Sequence, residues 1–304
     1  MASDIDRFGL DSRRVRQAFE RAAAGYDAAA VLQREIEQRM AERLALVKLN
    51  PETILDAGCG TGSALGELAG RYPDAFLIGL DLSYAMLDAA RRRAERPSAP
   101  EPSLLARLLG KRAERPALVC ADACRLPFAT ASIGLLWSNL VMDWINDVTT
   151  AFVEFHRVLQ VGGLLMFTTF GPDTLKELRT AFAGVDGATH VNRFVDMHDL
   201  GDMLVQAGFA DPVMDMEALT LTYDDATTMM RELKAIGAHN ATHGRARGLT
   251  GRTRWSRMLA RLEAFRRDGR LPATYEVVYG HAWKPEPRFA ADGRAIVRMR
   301  PRSR

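Results

Sequence analysis

Short apolar runs along this chain alternate with longer stretches in which apolar residues recur every three or four positions, a pattern that predicts strands alternating with helices. The runs Thr53–Asp56, Phe76–Asp81, Ala117–Cys120, Ile133–Trp137 and Leu164–Phe170 predict five strands. Between the first three, Ser63–Ala69 and Ser83–Arg96 predict helices, the second with Ser83 as N-cap and Met86, Leu87 and Ala90 on one face. Ala151–Leu159 predicts another, returned to the sheet by the turn Gln160-Val161-Gly162-Gly163. Asp196–Gly208 reads as a helix closed by Gly208, and Tyr275–Trp283 alternates as a final strand. This order predicts an α/β fold with a doubly wound, mostly parallel sheet. Ala226–Gly237 and Arg254–Arg267 also look helical but are not needed to complete the sheet, so residues 224–270 are read as a helical lid.

Polar groups sit at the ends of four strands: Asp56, Asp81, Asp122 just beyond Cys120, and Asn139 just beyond Trp137. Ligands of open α/β sheets settle at the carboxyl ends of strands, so these four should converge on one crevice. The first strand runs into Asp56-Ala57-Gly58-Cys59-Gly60-Thr61-Gly62, an acid followed by glycines at alternate positions. Without side chains there, the backbone can turn sharply into the next helix and a ligand can lie against the main chain. Asp81 follows at the spacing of about twenty residues at which such folds hold a ribose diol.

The order D-x-G-x-G-x-G differs from the pyrophosphate fingerprint G-x-G-x-x-G and resembles motif I of the S-adenosylmethionine-dependent methyltransferases. Their cofactor carries no phosphate for a helix N-terminus to hold. An acid facing its cationic amino-acid end is favourable instead. The resemblance implies S-adenosyl-L-methionine as cofactor, S-adenosyl-L-homocysteine as product, and contacts from Gln33, Asp56, Gly58, Cys59, Gly60, Gly62, Asp81, Leu82, Met86, Asp122, Ala123 and Asn139. Asp122 is expected to meet the adenine amino group and Ala123 to offer its backbone N–H to a ring nitrogen. Gln33 is expected to contact the cofactor or brace an N-terminal helix.

Composition narrows the class. With 304 residues, 47% of them hydrophobic, the chain can bury a substantial core. No segment reaches the roughly 18 uninterrupted apolar residues of a membrane span. The opening Met1-Ala2-Ser3-Asp4-Ile5-Asp6 lacks a signal-peptide core, so a cytoplasmic protein with no membrane partner is expected. Cys59, Cys120 and Cys124 are too few for a disulfide framework or a four-ligand zinc site, and no metal is expected. The net charge of +3 is concentrated at one end, where arginines 288, 294, 298, 300, 302 and 304 face only Glu286 and Asp292. Residues 286–304 are read as a basic, disordered tail, and nucleic acid is not the expected partner. Residues 97–116, with four prolines, are read as a surface insertion in a single domain spanning 1–285.

From Val15 to about Pro285 the chain resembles one family, the malonyl-acyl carrier protein O-methyltransferases of biotin synthesis. The matching segments include Ala18-Phe19-Glu20-Arg21-Ala22-Ala23-Ala24-Gly25-Tyr26-Asp27 with Leu32-Gln33, Trp137-Ser138-Asn139-Leu140 with Trp144, and Asn192-Arg193-Phe194. Met230-Arg231-Glu232-Leu233-Lys234-Ala235-Ile236-Gly237-Ala238 and Leu249-Thr250-Gly251-Arg252 belong with them. The resemblance implies a seven-stranded, Rossmann-like class I sheet, a helical cover over residues 15–48, and methyl transfer to the free carboxylate of a malonyl thioester. A carboxylic acid with a pKa near 4 is already ionised at neutral pH, so a general base is not required. Tyr26, His190, Asn192 and Arg193 are the expected substrate-positioning groups. The implied partner is an acidic acyl carrier protein bearing the malonyl group, met by Arg245, Arg247 and Arg252.

Two other readings stay open. The segment Gly171-Pro172-Asp173-Thr174-Leu175-Lys176-Glu177-Leu178-Arg179 is similar to one in a mitochondrial assembly factor of respiratory complex I that hydroxylates an arginine. The absence of any H-x-D or H-x-E pair counts against that oxygenase chemistry. The third reading is a non-catalytic module that binds the cofactor and acts through protein contacts.

Overall fold

The computed structural model describes residues 7–95, 115–246, 248 and 250–287. Its strands are β1 (Thr53–Ala57), β2 (Phe76–Asp81), β3 (Ala117–Cys120), β4 (Ile133–Asn139), β5 (Leu159–Phe170), β6 (Ala210–Tyr223) and β7 (Leu271–Trp283). They form one sheet in the order β3-β2-β1-β4-β5-β7-β6. The first five in that order run parallel, while β7 is antiparallel to both β5 and β6. Ile54 and Leu55 of β1 and Leu135 and Leu136 of β4 are fully buried, because helices cover both faces of these central strands. That two-sided burial is why they read as unbroken apolar runs.

Ten helices flank the sheet among the described residues: α1 (Ser12–Ala22), α2 (Tyr26–Ala29), α3 (Val31–Leu44), α4 (Ser63–Arg71), α5 (Tyr84–Glu95), α6 (Val148–Val158), α7 (Lys176–Phe182), α8 (Met197–Gln206), α9 (Ala226–Ala235) and α10 (Arg252–Glu263). One core layer joins Ile36, Met40 and Leu44 of α3 to Leu65 and Leu68 of α4. The opposite layer joins Phe152 and Phe155 of α6 to Leu200 and Leu204 of α8.

The sequence pattern gave no strand over 210–223, which the structure shows as β6. Burial alternates along this edge strand, its exposed positions include Asp211 and Asp215, and Glu217 stands among the half-buried ones, so no apolar run marks it. Pro212 falls where the register shifts between Ala210 and Val213, and an edge strand tolerates its missing N–H.

The amino-terminal cover is fastened at several points. Asp11 caps α1 by accepting from the N–H groups of Arg13 and Arg14, and Val15, Ala18 and Ala22 bury one face of the helix. Glu20, further along α1, accepts from the backbone of Tyr84 (3.1 Å) and Ala85 (3.3 Å), the first turn of α5. Ser83 caps the same helix through Met86 N–H (3.3 Å). Residues 7–11 run beside 241–244, with His243 N–H donating to Gly9 and Asp11 N–H to Ala241. The segment 224–270 divides in two. The turn after α9 brings Gly237 against Phe19 of α1, whereas α10 lies on α7 with Met258 and Leu262 fully buried in the core. Nearly all of the insertion 97–116 and of the tail 286–304 lies outside the described residues.

Candidate active site

A cavity of ≈ 350 Å³ lies at the carboxyl ends of β1, β2 and β4, roofed by α1 and by Ile236 and Ala238 of the turn after α9. Of the predicted cofactor residues, Gln33, Gly58, Gly60, Asp81, Leu82, Met86, Asp122, Ala123 and Asn139 line it. Asp56 and Cys59 line a small annex of ≈ 40 Å³ behind the glycine loop, shared with Tyr26, Gln33, Glu37 and Gly60.

Gly62 lines neither space. It sits in the left-handed region (φ 76°) just before α4, where an added Cβ would stand 3.0 Å from Ala90 Cβ of α5 and 3.3 Å from Leu65 Cδ1. Its lack of a side chain permits close helix approach, so its expected cofactor contact is replaced by a packing role. Gly60 differs: it too has positive φ (52°), but a Cβ there would meet nothing within 4 Å, leaving open space above the loop.

Asp81 ties the two halves of the site together. Its Oδ2 accepts from Gly60 N–H (2.9 Å) and its Oδ1 from Ser83 N–H (2.7 Å). Burial pushes its pKa up to about 6 against the pull of those bonds. Burial, then the neighbouring Glu37 and Asp81, drive Asp56 well above the usual carboxylate range. Glu37 is raised to about 7 by burial, which a hydrogen bond from Ser63 Oγ (2.7 Å) only partly offsets. The Tyr26 phenol is pushed up by burial and then by Asp81, so it remains a hydrogen-bond donor. Three neighbouring acids, Asp56 buried and Asp81 and Glu37 half-buried, disfavour ionisation until a positive group joins them. The site is electrostatically suited to a cation.

One buried polar atom tests the fit directly. Gln33 Oε1 is shielded from solvent and has no hydrogen-bond partner among the described residues, and its side chain borders both the cavity and the annex. An unmet acceptor, open space above Gly60 and an acidic surround fit the cationic, hydroxyl-bearing cofactor implied by motif I. Asn139 is engaged elsewhere: its Nδ2 donates to Gln33 O (3.2 Å) and its Oδ1 accepts from Thr168 Oγ1 (2.6 Å), which fixes α3 over β4. Asp122 Oδ1 accepts from Cys124 N–H (2.9 Å), so one oxygen shapes its own turn.

Sequence reasoning missed several residues here. Glu37 lies one helical turn beyond Gln33 on α3, and that i, i+4 relation was the available signal. Val15, Phe19 and Trp144 build the apolar wall, with the rings of Phe19 and Trp144 meeting edge to face at 5.1 Å.

A second, wider cavity of ≈ 830 Å³ adjoins the first, sharing Ile145 and Asn146. Asn146 holds the N-terminal segment at this junction, accepting from Leu10 N–H (2.6 Å) and donating to Leu10 O (2.9 Å). His190, Asn192 and Arg193 line the second cavity, while Tyr26 lines the first, so the predicted substrate groups are divided between the two. Arg193 is exposed and has no ion pair among the described residues. Asp196, its expected alternative partner, instead caps α8 through His198 N–H (2.8 Å). The His190 ring stacks on Phe182 at 3.7 Å, and its Nε2 lies 2.8 Å from Asp186 Oδ1, which holds the Asp186 carboxyl below its ordinary range. Arg245 donates to Thr242 O (2.7 Å), Arg252 is exposed at the start of α10, and Arg247 lies outside the described residues. Among the described residues no group of three His, Cys, Asp or Glu is placed to hold a metal ion. No helix described is long and apolar enough to cross a membrane.

Comparison with known proteins accords with this geometry. Residues 55–167 match the family described as a methyltransferase domain. The fold is that of the YcgJ protein of Bacillus subtilis, at a TM-score of 0.54 and 17% identity, covering 82% of this chain and 98% of that one. The chain is 56% identical to the malonyl-[acyl-carrier protein] O-methyltransferase of Gallionella capsiferriformans, over 97% of its length and 98% of the relative's. Identity is also 56% to the protein of that name in Laribacter hongkongensis, over 97% and 98% of the two lengths. The chain therefore belongs to the malonyl-[acyl-carrier protein] O-methyltransferases, with a class I, S-adenosylmethionine-dependent fold.

Proposed function

We propose that this protein transfers a methyl group from S-adenosylmethionine to the free carboxylate of a malonyl group carried as a thioester on acyl carrier protein. The product is a methyl ester, the primer for building the pimeloyl chain of biotin. The observation that carries this reading is the meeting of two cavities at Ile145 and Asn146, an acidic one fitted to the donor and a wider one reaching the surface. Full-length likeness to the named relatives supports the choice of acceptor.

The cofactor supplies a methyl group already activated by a positively charged sulfur. Asp81 would take its ribose hydroxyls, and Asp56 and Glu37 would face its amino-acid end, with Gln33 Oε1 accepting a hydrogen bond. The protein needs no base, because the acceptor carboxylate is already ionised. Its work is to align two reactants and keep water out, which can supply up to about 7–11 kcal/mol. Tyr26 donates at the inner end, and Phe19 and Trp144 exclude solvent above it. Arg193 holds the acceptor through a carbonyl or one oxygen, since a clamp on both oxygens would lower their nucleophilicity.

Carrier docking falls to the basic surface beside the second cavity. Arg252, Arg254 and Arg257 are exposed along α10, and Arg245 lies nearby through the pairing of its backbone with Thr189. An acidic carrier would be drawn to this surface, with encounter rates falling as salt rises. The free thiols Cys59, Cys120 and Cys124 support a cytoplasmic location.

The test is to incubate the protein with S-adenosylmethionine and malonyl carrier protein and weigh the intact carrier. A gain of one methyl group is expected. No gain with tight S-adenosylhomocysteine binding would leave a cofactor-binding module. Methylation of a free small acid but not of the carrier would mark a different methyltransferase.

A further inference from the structure

Asp143 stands in the turn Met142–Trp144 that follows β4, at the wall of the second cavity and beside the shared residues Ile145 and Asn146. Its two carboxyl oxygens have different fates. Oδ1 accepts two hydrogen bonds at the end of β5, from Phe170 N–H (3.0 Å) and Thr169 Oγ1 (2.8 Å). Oδ2 is shielded from solvent and has no partner among the described residues. With Oδ1 saturated by donors, a proton on this carboxyl resides on Oδ2, where it needs an acceptor. A buried polar atom left unmatched is costly, so a ligand that supplies the match gains affinity.

Resting on the acceptor proposed above, we propose that Asp143 acts as a neutral carboxyl group that donates a hydrogen bond from Oδ2 to an oxygen of the bound malonyl group. An ionised Asp143 would repel a substrate carboxylate, whereas the neutral acid binds it without the electron-withdrawing grip of a cation. Once the acceptor becomes an ester, the bond loses its charge assistance and weakens, which favours release. Burial supports the neutral form, pushing the Asp143 pKa up to about 7. The charged groups facing the same cavity are Arg7, Arg179, the Asp186–His190 pair, Arg193, Asp196 and Asp199.

The experiment measures kcat/KM for malonyl carrier protein between pH 5.5 and 9, with S-adenosylhomocysteine affinity as a control, for wild type, Asp143→Asn and Asp143→Val. The wild-type value should fall as pH rises through about 7. Asp143→Asn keeps an Oδ1 acceptor and a donor on the other arm, so its profile should be flat above pH 6. Asp143→Val should raise KM about 10- to 100-fold with unchanged cofactor affinity. A fall that persists in Asp143→Asn would assign the titration to another group and overturn the proposal, as would an unchanged KM in Asp143→Val. Should the valine variant fail to fold, the asparagine profile decides alone. Absence of any methyl ester with wild type would instead defeat the acceptor assignment.

Discussion

Adding one methyl group at Gly60 or at Gly62 should produce opposite failures, although only Thr61 separates the two residues. Both have positive φ, 52° and 76°, which costs an L-residue about 1–2 kcal/mol. Restricting the unfolded chain returns about 0.4–1 kcal/mol of that in each case. At Gly60 the new Cβ meets no protein atom within 4 Å, so Gly60→Ala should lose only about 1 kcal/mol of stability. At Gly62 it lands 3.0 Å from Ala90 Cβ and 3.4 Å from Ala90 Cα, an overpacking that adds about 1–3 kcal/mol. Gly62→Ala should therefore lose about 2–4 kcal/mol. Ligand affinity should follow the reverse order. If the space above Gly60 is occupied by cofactor, the methyl group costs about 1–3 kcal/mol of binding, or about 5- to 150-fold in Kd. Gly62→Ala should bind nearly as wild type at temperatures where it is folded. Urea denaturation measures the first quantity and calorimetric titration with S-adenosylhomocysteine the second. Wild-type affinity in Gly60→Ala together with lost affinity in Gly62→Ala would refute the assignment of the cavity.

Other outcomes follow from the same structure. Glu37 has a folded pKa of about 7, above its ordinary 4.5, so its stabilising contribution is present below the unfolded value and lost as pH rises through about 7. Without cofactor, Glu37→Gln should therefore lose less stability between pH 5.5 and 8 than wild type, as read by thermal melts. Arg193→Gln should raise KM for malonyl carrier protein about 10- to 100-fold and leave S-adenosylhomocysteine affinity alone, since the guanidinium borders only the second cavity. Glu20→Ala removes the foreign cap of α5 and should cost about 1 kcal/mol, with faster amide exchange across residues 12–22. Equal exchange in mutant and wild type would show that Glu20 does not fasten the cover.

The parallel half of the sheet was legible because β1 and β4 are buried on both faces and end in residues whose chemistry stands out against apolar neighbours, Asp56 and Asn139. Asp81 could be placed for the same reason. What stayed hidden depends on relations between distant segments. β6 is an edge strand whose pattern is diluted by acids, and no local signal assigns Glu20 to the start of a helix 64 residues away. Gly62 shows the limit of motif reading, since its need for a missing side chain is real but is set by Ala90 on α5. Arg193 and Tyr26 appeared as one group in the sequence, and only the packing of the cover separates them into two hollows. Asp143 carried no pattern at all. Its interest arises from which of its oxygens the end of β5 has already engaged.

Residues 7–10, held by Asn146 and zipped to residues 241–244, wall the wider hollow, and Ser12 and Val15, which follow directly, wall the inner one. Donor and acceptor thus share a single gatepost, and neither can be exchanged with full independence of the other. Loading the inner chamber first and the tethered thioester afterwards is the order such an entrance favours.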